Sequence, residues 1–169
     1  ILPQSGEYQI FGTSDHTVGG FSSDSREVGS DVLFVARKGL VVDGHAFIPE
    51  VIEKGVKVIL CEELPIEIKT DVCYVRCANL LDTLTHLLNK FYDYPSDQLK
   101  LIGITGTNGK TTTATLCYEL FKSLRYKTGL ISTVINRIHL DEEWATYTTP
   151  DIIKLYSLVD RMVKAVCSH

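Results

Sequence analysis

Short apolar runs separated by polar stretches organise the first half of the chain. Asp31–Arg37 (DVLFVAR) and Val56–Cys61 (VKVILC) are rich in valine, leucine and isoleucine, which is typical of buried strands. Ala46–Lys54 lies between them and predicts a short helix, because Pro49 falls in its first turn and Gly55 follows its end. The order strand, helix, strand predicts a parallel pair of strands with a right-handed crossover.

A further strand and a longer amphipathic helix follow in the same half. Cys73–Cys77 (CYVRC) predicts the strand, and Asn79–Tyr92 predicts the helix with Asn79 as its N-cap. One face of that helix carries apolar side chains at helical spacing: Leu80, Leu84, Leu87, Leu88 and Phe91. Tyr94–Asp97 contains a proline that ends the helix, so we expect a linker there.

The second half alternates strand, loop, helix and strand. Leu99–Thr105 (LKLIGIT) predicts a buried strand that runs directly into a glycine-containing loop. Thr111–Leu124 predicts an amphipathic helix whose apolar face consists of Leu116, Leu120 and Leu124. Lys127–Val134 predicts the next strand, and this layout is typical of a nucleotide-binding α/β domain.

The predicted fold class is therefore α/β with two domains. Residues 1–95 form a small N-terminal α/β domain, and residues 96–169 form the start of a nucleotide-binding parallel-sheet domain. A parallel sheet is normally covered on both faces, and two core strands are too few for that. We therefore expect this truncated second domain to have exposed edges and to be poorly soluble or to associate in isolation. Because the chain begins at Ile1 rather than methionine, we also expect it to be part of a longer protein.

Composition narrows the class of protein. The 169 residues are 44% apolar and 22% charged, as in soluble globular proteins, and the net charge of −4 gives no electrostatic basis for binding nucleic acid or anionic membranes. No apolar run reaches the roughly 18 residues that would span a bilayer, which predicts a cytoplasmic protein without membrane insertion. The five scattered cysteines predict buried, reduced thiols, with a zinc pair at Cys73 and Cys77 as the alternative. No feature of the sequence predicts a particular oligomeric state.

The loop between the second-half strand and helix has the chemistry of a phosphate site. Glycines allow a phosphate to approach the backbone, and main-chain N–H groups at a helix N-terminus bind anions. The lysine supplies a charge for the β- and γ-phosphates and is the predicted catalytic residue, while the hydroxyl of Thr111 is a predicted Mg²⁺ ligand. The candidate residues for binding ATP are Gly106, Thr107, Asn108, Gly109, Lys110, Thr111 and Thr112.

The loop departs from the common P-loop pattern, G-x-x-x-x-G-K-[ST]. Its first glycine would fall at position 104, where this chain has Ile104. One alternative is a glycine-rich turn with an incidental lysine, but the surrounding strand and helix argue against it. Another alternative is an unrelated P-loop kinase or NTPase, which would carry an aspartate after an apolar strand, and Gly129–Val134 offers none.

Three groups of residues carry a resemblance to a known family. Thr105–Thr113 (TGTNGKTTT) resembles the variant P-loop of the Mur ligases. A second group resembles their UDP-sugar-binding N-terminal domain and consists of Asp24–Arg26 (DSR), Gly29, Leu33–Ala36, Gly39 and Asp43–His45. Thr148–Asp151 (TTPD) is similar to a signature of the members that add the third amino acid to UDP-N-acetylmuramoyl-dipeptide. The resemblance covers nearly the whole chain.

The resemblance implies substrate contacts beyond the phosphate loop. Ser23 and Ser25, with residues 40–42 alongside, would contact the UDP-sugar, although Asp-Ser-Arg alone is also typical of a turn. Thr148 and Thr149 would contact the muramoyl-peptide, although Thr149 also fits a helix N-cap, and Ser168 would be a further contact. The implied substrates are UDP-N-acetylmuramoyl-dipeptide and a diamino acid, either diaminopimelate or lysine. We assign no site role to His45 or Trp144.

The resemblance also implies a reaction in which ATP phosphorylates a substrate carboxylate and the amino group of the incoming amino acid attacks the acyl phosphate. This chain has Ala165 where the family pattern has a Mg²⁺-binding glutamate, and the C-terminal domain that receives the amino acid is absent from it. We therefore expect that the chain does not complete catalysis alone. The fourth-step Mur ligase and a noncatalytic nucleotide-binding module remain alternatives.

Overall fold

The computed structural model describes residues 8–39, 42–145 and 151–169. The chain divides into two compact units, one that extends to Leu87 and one from Leu88 to His169. This division falls inside a helix rather than in the expected linker, and the domain boundary at residue 95 stays a prediction. Among the described residues, none of the helices combines the length and the apolar character needed to cross a bilayer.

The first unit is built on a five-stranded sheet. Its strands are β1 (Tyr8–Phe11), β2 (Gly20–Ser22), β3 (Val32–Ala36), β4 (Val58–Cys61) and β5 (Cys73–Cys77), in the order β1-β5-β4-β3-β2. The last four strands are parallel, and β1 is antiparallel to β5. The parallel pairing of β3 with β4, which the strand–helix–strand pattern predicted, is confirmed.

The central strands of this sheet are covered on both faces. All four residues of β4 are buried, and successive side chains of a strand point to opposite faces. Helix α1 (Ile48–Glu53) follows a short 3₁₀ turn and buries Ile48 and Val51 in one core cluster with Phe34, Ile59 and Tyr74. As predicted, Pro49 stands in the first turn of α1, and Gly55 adopts a positive φ just past its end.

Helix α2 (Leu80–Phe91) agrees with the predicted boundaries to within one residue at each end. Its N-cap is also confirmed, because the Asp82 N–H donates to Asn79 Oδ1 over 3.2 Å. Four of the five apolar residues predicted for its inner face are buried: Leu80, Leu84, Leu87 and Leu88. The predicted linker forms a short 3₁₀ helix, Pro95–Gln98, which contacts the last helix of the second unit.

The described residues of the second unit include two long helices and a small antiparallel sheet, besides the end of α2 and the 3₁₀ helix Pro95–Gln98. Its elements are α3 (Lys110–Ser123), β6 (Gly129–Ile131), β7 (Ile135–Ile138), β8 (Asp141–Trp144) and α4 (Ile152–Lys164), and the strand order is β6-β7-β8. The core cluster of this unit contains Ile138, Leu158, Met162 and Cys167. A Cβ on Gly129 would overlap the side chain of Met162, so a larger residue there would require that side chain to move.

The predicted buried strand at Leu99–Thr105 is wrong in this structure. The segment has no assigned secondary structure, and Leu101 and Ile102 are exposed. A buried strand needs backbone partners along its length. Among the described residues, the backbone hydrogen bond recorded for this segment runs from the Lys100 N–H to the Ser168 C=O over 3.0 Å. Strand β6 pairs antiparallel with β7, so the described strands of this unit form no parallel pair.

The predicted inner face of α3 is also wrong. Leu116, Leu120 and Leu124 are 65%, 56% and 58% exposed. The helix instead buries Tyr118, whose hydroxyl donates to the His139 C=O over 2.6 Å. That hydrogen bond, together with the Arg137 guanidinium 5.2 Å from the centre of the ring, fixes which side of α3 faces inward.

The cysteines are unpaired thiols in the structure. Cys61, Cys73, Cys77 and Cys167 are buried, and Cys117 is half-buried. Burial raises the pKa of Cys61 to about 12 and also raises the pKa of Cys73, Cys77 and Cys167. These four thiols therefore stay protonated at neutral pH and are part of the packed interior.

Candidate functional site

The glycine loop of the second unit ends at the start of α3. Gly109 is the N-cap of this helix with φ 76° and ψ −3°, and Gly106 has φ 148°. Residues other than glycine rarely adopt either backbone conformation, because their Cβ would meet the neighbouring backbone. This explains why a glycine stands at each position. Helix α3 begins at Lys110, so the predicted lysine stands in its first turn.

The first turn of α3 leaves main-chain donors for an anion. Gly109 has no side chain that could cap the helix, and the first helical bond runs from the Thr113 N–H to the Gly109 C=O over 2.8 Å. The N–H groups of Lys110, Thr111 and Thr112 precede that bond and have no partner within the helix. Donors at a helix N-terminus, aided by the helix dipole, stabilise an anion by roughly 0.3–1 kcal/mol.

The side chains of this turn supply the remaining groups for a metal-bound phosphate. Lys110 Nζ donates to the Gly106 C=O over 2.6 Å, so the ammonium lies across the loop. Thr111 Oγ1 lies 3.1 Å from Thr133 Oγ1 in the connection between β6 and β7. An ammonium suits phosphate oxygens and a hydroxyl oxygen suits Mg²⁺, so the donor set fits a magnesium triphosphate.

A cavity of about 310 Å³ lies beside this loop within the second unit. Lys110 and Thr111 reach one part of it, but most of the lining is apolar, including Leu99, Tyr118 and Leu130. An apolar lining cannot replace the water that surrounds a charged phosphate. The triphosphate is therefore matched by the first turn of α3 and not by the interior of this cavity.

The Asp24–Arg26 segment of the first unit forms a turn. The Arg26 N–H donates to Asp24 Oδ1 over 2.9 Å, and Arg26 Nη2 pairs with Asp24 Oδ2 over 2.6 Å. Lys54 Nζ reaches across from the end of α1 and donates to the Ser25 C=O over 2.8 Å. Ser23 is exposed and Ser25 is half-buried. The turn is thus real, and the contact of both serines with a UDP-sugar stays a prediction.

We expect this turn to make the stability of the first unit depend on pH in the acid range. The hydrogen bonds from Arg26 lower the pKa of Asp24 from 3.8 to about 2. A lowered folded-state pKa contributes stability above pH 3.8, and that contribution is lost as the pH falls toward 2. We expect wild type to be more stable than Asp24→Asn at pH 6, with a difference that shrinks between pH 4 and pH 2 in urea denaturation. Glu27→Gln is the control, and an equal loss in that variant would contradict the assignment.

Asp43 and His45 contact each other through their side chains. His45 Nδ1 lies 2.6 Å from Asp43 Oδ1, and its Nε2 accepts the N–H groups of Glu62 and Glu63, each over 3.2 Å. An Nε2 that accepts two hydrogen bonds is unprotonated, so Nδ1 carries the proton and donates it to Asp43. The ring therefore connects the turn before α1 to the end of β4.

The remaining predicted substrate contacts are Thr148, Thr149, residues 40–42 and Ser168. Thr148 and Thr149 and residues 40–41 lie outside the described residues. The N-cap of α4 is Asp151, whose carboxylate accepts the Lys154 N–H over 2.8 Å, so the prediction of Thr149 as the N-cap is wrong. Ser168 bonds the Lys127 C=O through its N–H over 2.8 Å, and its hydroxyl lies 2.8 Å from His169 Nδ1. Its contact with substrate stays a prediction.

Thr133 is the residue of this site that sequence reasoning missed. It stands 22 positions after Thr111 and two positions after the end of β6. The available signal was a pair of hydroxyl residues, Ser132 and Thr133, near the end of the predicted strand Lys127–Val134. Such positions often carry functional side chains in α/β domains.

Two models of one known protein family match this chain, one in each half. The family model described as "Mur ligase family, catalytic domain" matches residues 17–92, and the "Mur ligase middle domain" matches residues 104–169. The UDP-N-acetylmuramoyl-L-alanyl-D-glutamate--2,6-diaminopimelate ligase of Cytophaga hutchinsonii is 48% identical over 161 residues, which are 95% of this chain and 33% of that protein. The chain spans about a third of the length of the curated relatives that it matches.

Solved structures agree on the fold. A structure of a UDP-N-acetylmuramoyl-L-alanyl-D-glutamate--2,6-diaminopimelate ligase superposes with a TM-score of 0.70 at 24% identity, over 89% of this chain and 30% of that one. The UDP-N-acetylmuramoylalanyl-D-glutamyl-2,6-diaminopimelate--D-alanyl-D-alanyl ligase of Acinetobacter baumannii gives a TM-score of 0.52 at 30% identity, over 66% of this chain and 24% of that one. The matched segments, the relatives and the fold agree, and the chain belongs to the Mur ligase family.

Proposed function

We propose that this chain is the UDP-sugar-binding and ATP-binding portion of a ligase that joins a diamino acid to UDP-N-acetylmuramoyl-L-alanyl-D-glutamate. The relatives with 48% and 45% identity are named as ligases for 2,6-diaminopimelate. The reaction consumes ATP, which the cytoplasm supplies, so the activity belongs to that compartment. The product is a precursor of peptidoglycan.

The first turn of α3 is the observation that carries the proposal. It combines three main-chain donors with the ammonium of Lys110 and the hydroxyl of Thr111 at one helix N-terminus. When bound, ATP supplies the phosphoryl group that activates the substrate carboxylate. The chain's own task is to hold two anions close together while charge develops on the transferred oxygens, which fixed positive groups stabilise.

The fourth-step ligase of the same family is the nearest alternative. The fourth-step enzyme of Acinetobacter baumannii aligns at 30% identity over 66% of this chain, whereas the third-step relative of Cytophaga hutchinsonii aligns at 48% over 95% of it. Third-step and fourth-step enzymes differ in the peptide that they accept, which is a dipeptide or a tripeptide on the same UDP-sugar. Affinity for these two ligands therefore separates the alternatives.

A noncatalytic nucleotide-binding module is the second alternative. Ala165, at the position where the family pattern has a glutamate, is the C-cap of α4 and has no oxygen in its side chain that could bind a cation. This observation favours a chain that binds nucleotide without turning it over. Such a module would have no use for a sugar-nucleotide site, whereas the proposed ligase portion requires one.

Calorimetric titration of the chain with UDP-N-acetylmuramoyl-L-Ala-D-Glu, with the corresponding tripeptide and with Mg²⁺·ATP tests these proposals together. We expect the chain to bind both the UDP-sugar dipeptide and Mg²⁺·ATP. We expect Ser25→Ala to lower the affinity for the dipeptide and to leave the affinity for Mg²⁺·ATP unchanged. Ser14→Ala, which changes an exposed serine of the first unit, is the control. Preference for the tripeptide would favour the fourth-step enzyme, and Mg²⁺·ATP binding alone would favour the module.

A further inference from the structure

The connection between β6 and β7 is a turn fixed by its own side chains. Ser132 Oγ donates to the Ile135 C=O over 2.6 Å and accepts the Ile135 N–H over 3.1 Å. The buried side chain of Asn136 accepts the Ser132 N–H over 3.4 Å. These bonds hold the ends of the turn, so the two residues between them, Thr133 and Val134, have defined positions.

Of these two residues, Thr133 is the one whose hydroxyl faces the first turn of α3. Thr133 Oγ1 lies 3.1 Å from Thr111 Oγ1, a hydrogen-bond distance in which either oxygen could be the donor. A threonine hydroxyl has one proton and two lone pairs. If the Thr111 oxygen gives a lone pair to a cation, its proton must point away from that cation and needs an acceptor.

We propose that Thr133 is a positioning residue that accepts the Thr111 proton and so turns the Thr111 lone pair toward Mg²⁺. This inference rests on the proposed binding of Mg²⁺·ATP at Lys110 and Thr111. Groups that orient a metal ligand without touching the metal typically affect metal affinity by about 10- to 100-fold. Thr133 makes no contact with the nucleotide in this role, so its effect requires the metal.

A purely structural role gives a different result. If the bond between the two hydroxyls only ties the β6–β7 turn to α3, its loss lowers stability and weakens nucleotide binding to the same degree with or without metal. The dependence of affinity on Mg²⁺ therefore distinguishes orientation of the ligand from support of the fold.

The test measures binding of a non-hydrolysable ATP analogue to the full chain by calorimetry, in excess Mg²⁺ and again in EDTA. Thr133→Val removes the hydroxyl at nearly constant shape, and Thr133→Ser keeps it. Ser123→Ala, which removes an exposed hydroxyl at the opposite end of α3, is the control. We expect Thr133→Val to lose about 10- to 100-fold in Mg²⁺ and little in EDTA. We expect Thr133→Ser and Ser123→Ala to stay close to wild type in both conditions.

Three outcomes would overturn the inference alone, each with Mg²⁺-dependent binding intact in wild type. They are an unchanged Mg²⁺ dependence in Thr133→Val, an equal loss in Thr133→Ser, and an equal loss of affinity in EDTA. Absence of Mg²⁺-dependent binding in wild type would overturn the proposed function, and the inference with it. Thermal unfolding of each variant shows whether a loss of affinity comes from loss of the fold.

Discussion

Lys110→Met is expected to weaken the binding of Mg²⁺·ATP by about 10- to 100-fold, because a hydrogen bond to a charged group contributes roughly 1.5–3 kcal/mol. Methionine keeps most of the length of the side chain and removes only the ammonium. In the free chain that ammonium already donates to the Gly106 C=O, so binding exchanges a neutral acceptor for an anionic one. The gain is therefore smaller than the full attraction between the charges.

Calorimetric titration with Mg²⁺·ATP measures this loss directly. Lys122→Met removes a cation from the last turn of the same helix and serves as the control. We expect the control to bind like wild type, and both variants to bind the UDP-sugar dipeptide equally well. An equal loss of ATP affinity in both variants would mean that the overall charge of the chain, rather than the first turn of α3, attracts the nucleotide.

The phosphate loop could be predicted from sequence because its information is local. Two glycines, a lysine and a threonine within six positions determine a loop with positive φ angles followed by a helix start, and α3 indeed begins at Lys110. The cap of α2 is local in the same way, since Asn79 and Asp82 are three residues apart. The chemical roles of the loop residues go beyond geometry and stay predictions.

Apolar patterns were less informative where partners decide the outcome. The run at Leu99–Thr105 indicates that the segment favours a buried strand, but a strand forms only beside another strand, and the described residues give it one backbone bond at Lys100. The prediction that the leucines of α3 face inward was wrong for a related reason. Tyr118 donates a hydrogen bond to the His139 C=O, and this bond sets the rotation of the helix about its axis. Thr133 joins the site from 22 positions away, and nothing local reveals that distance.

The two outer strands of the first sheet had no usable signal at all. β1 and β2 contain four and three residues, and none of their side chains is fully buried. Short strands of this kind are defined by the neighbour with which they pair, which for β1 is the antiparallel β5, with Phe11 opposite Tyr74. The turn immediately after β1 is consequently a sensitive test of this edge.

Gly12→Ala is expected to destabilise the first unit by about 2–4 kcal/mol, the sum of a strained backbone and an overpacked contact. Gly12 has φ 79°, and a Cβ built there would overlap the carbonyl oxygen of Val72. Val72 is fully buried immediately before β5, so its backbone cannot move aside without disturbing the core. Gly20→Ala is the matched control, because a Cβ at Gly20 meets nothing within 4 Å. Urea denaturation compares the two, and equal stabilities would mean that β1 does not pair with β5 as described.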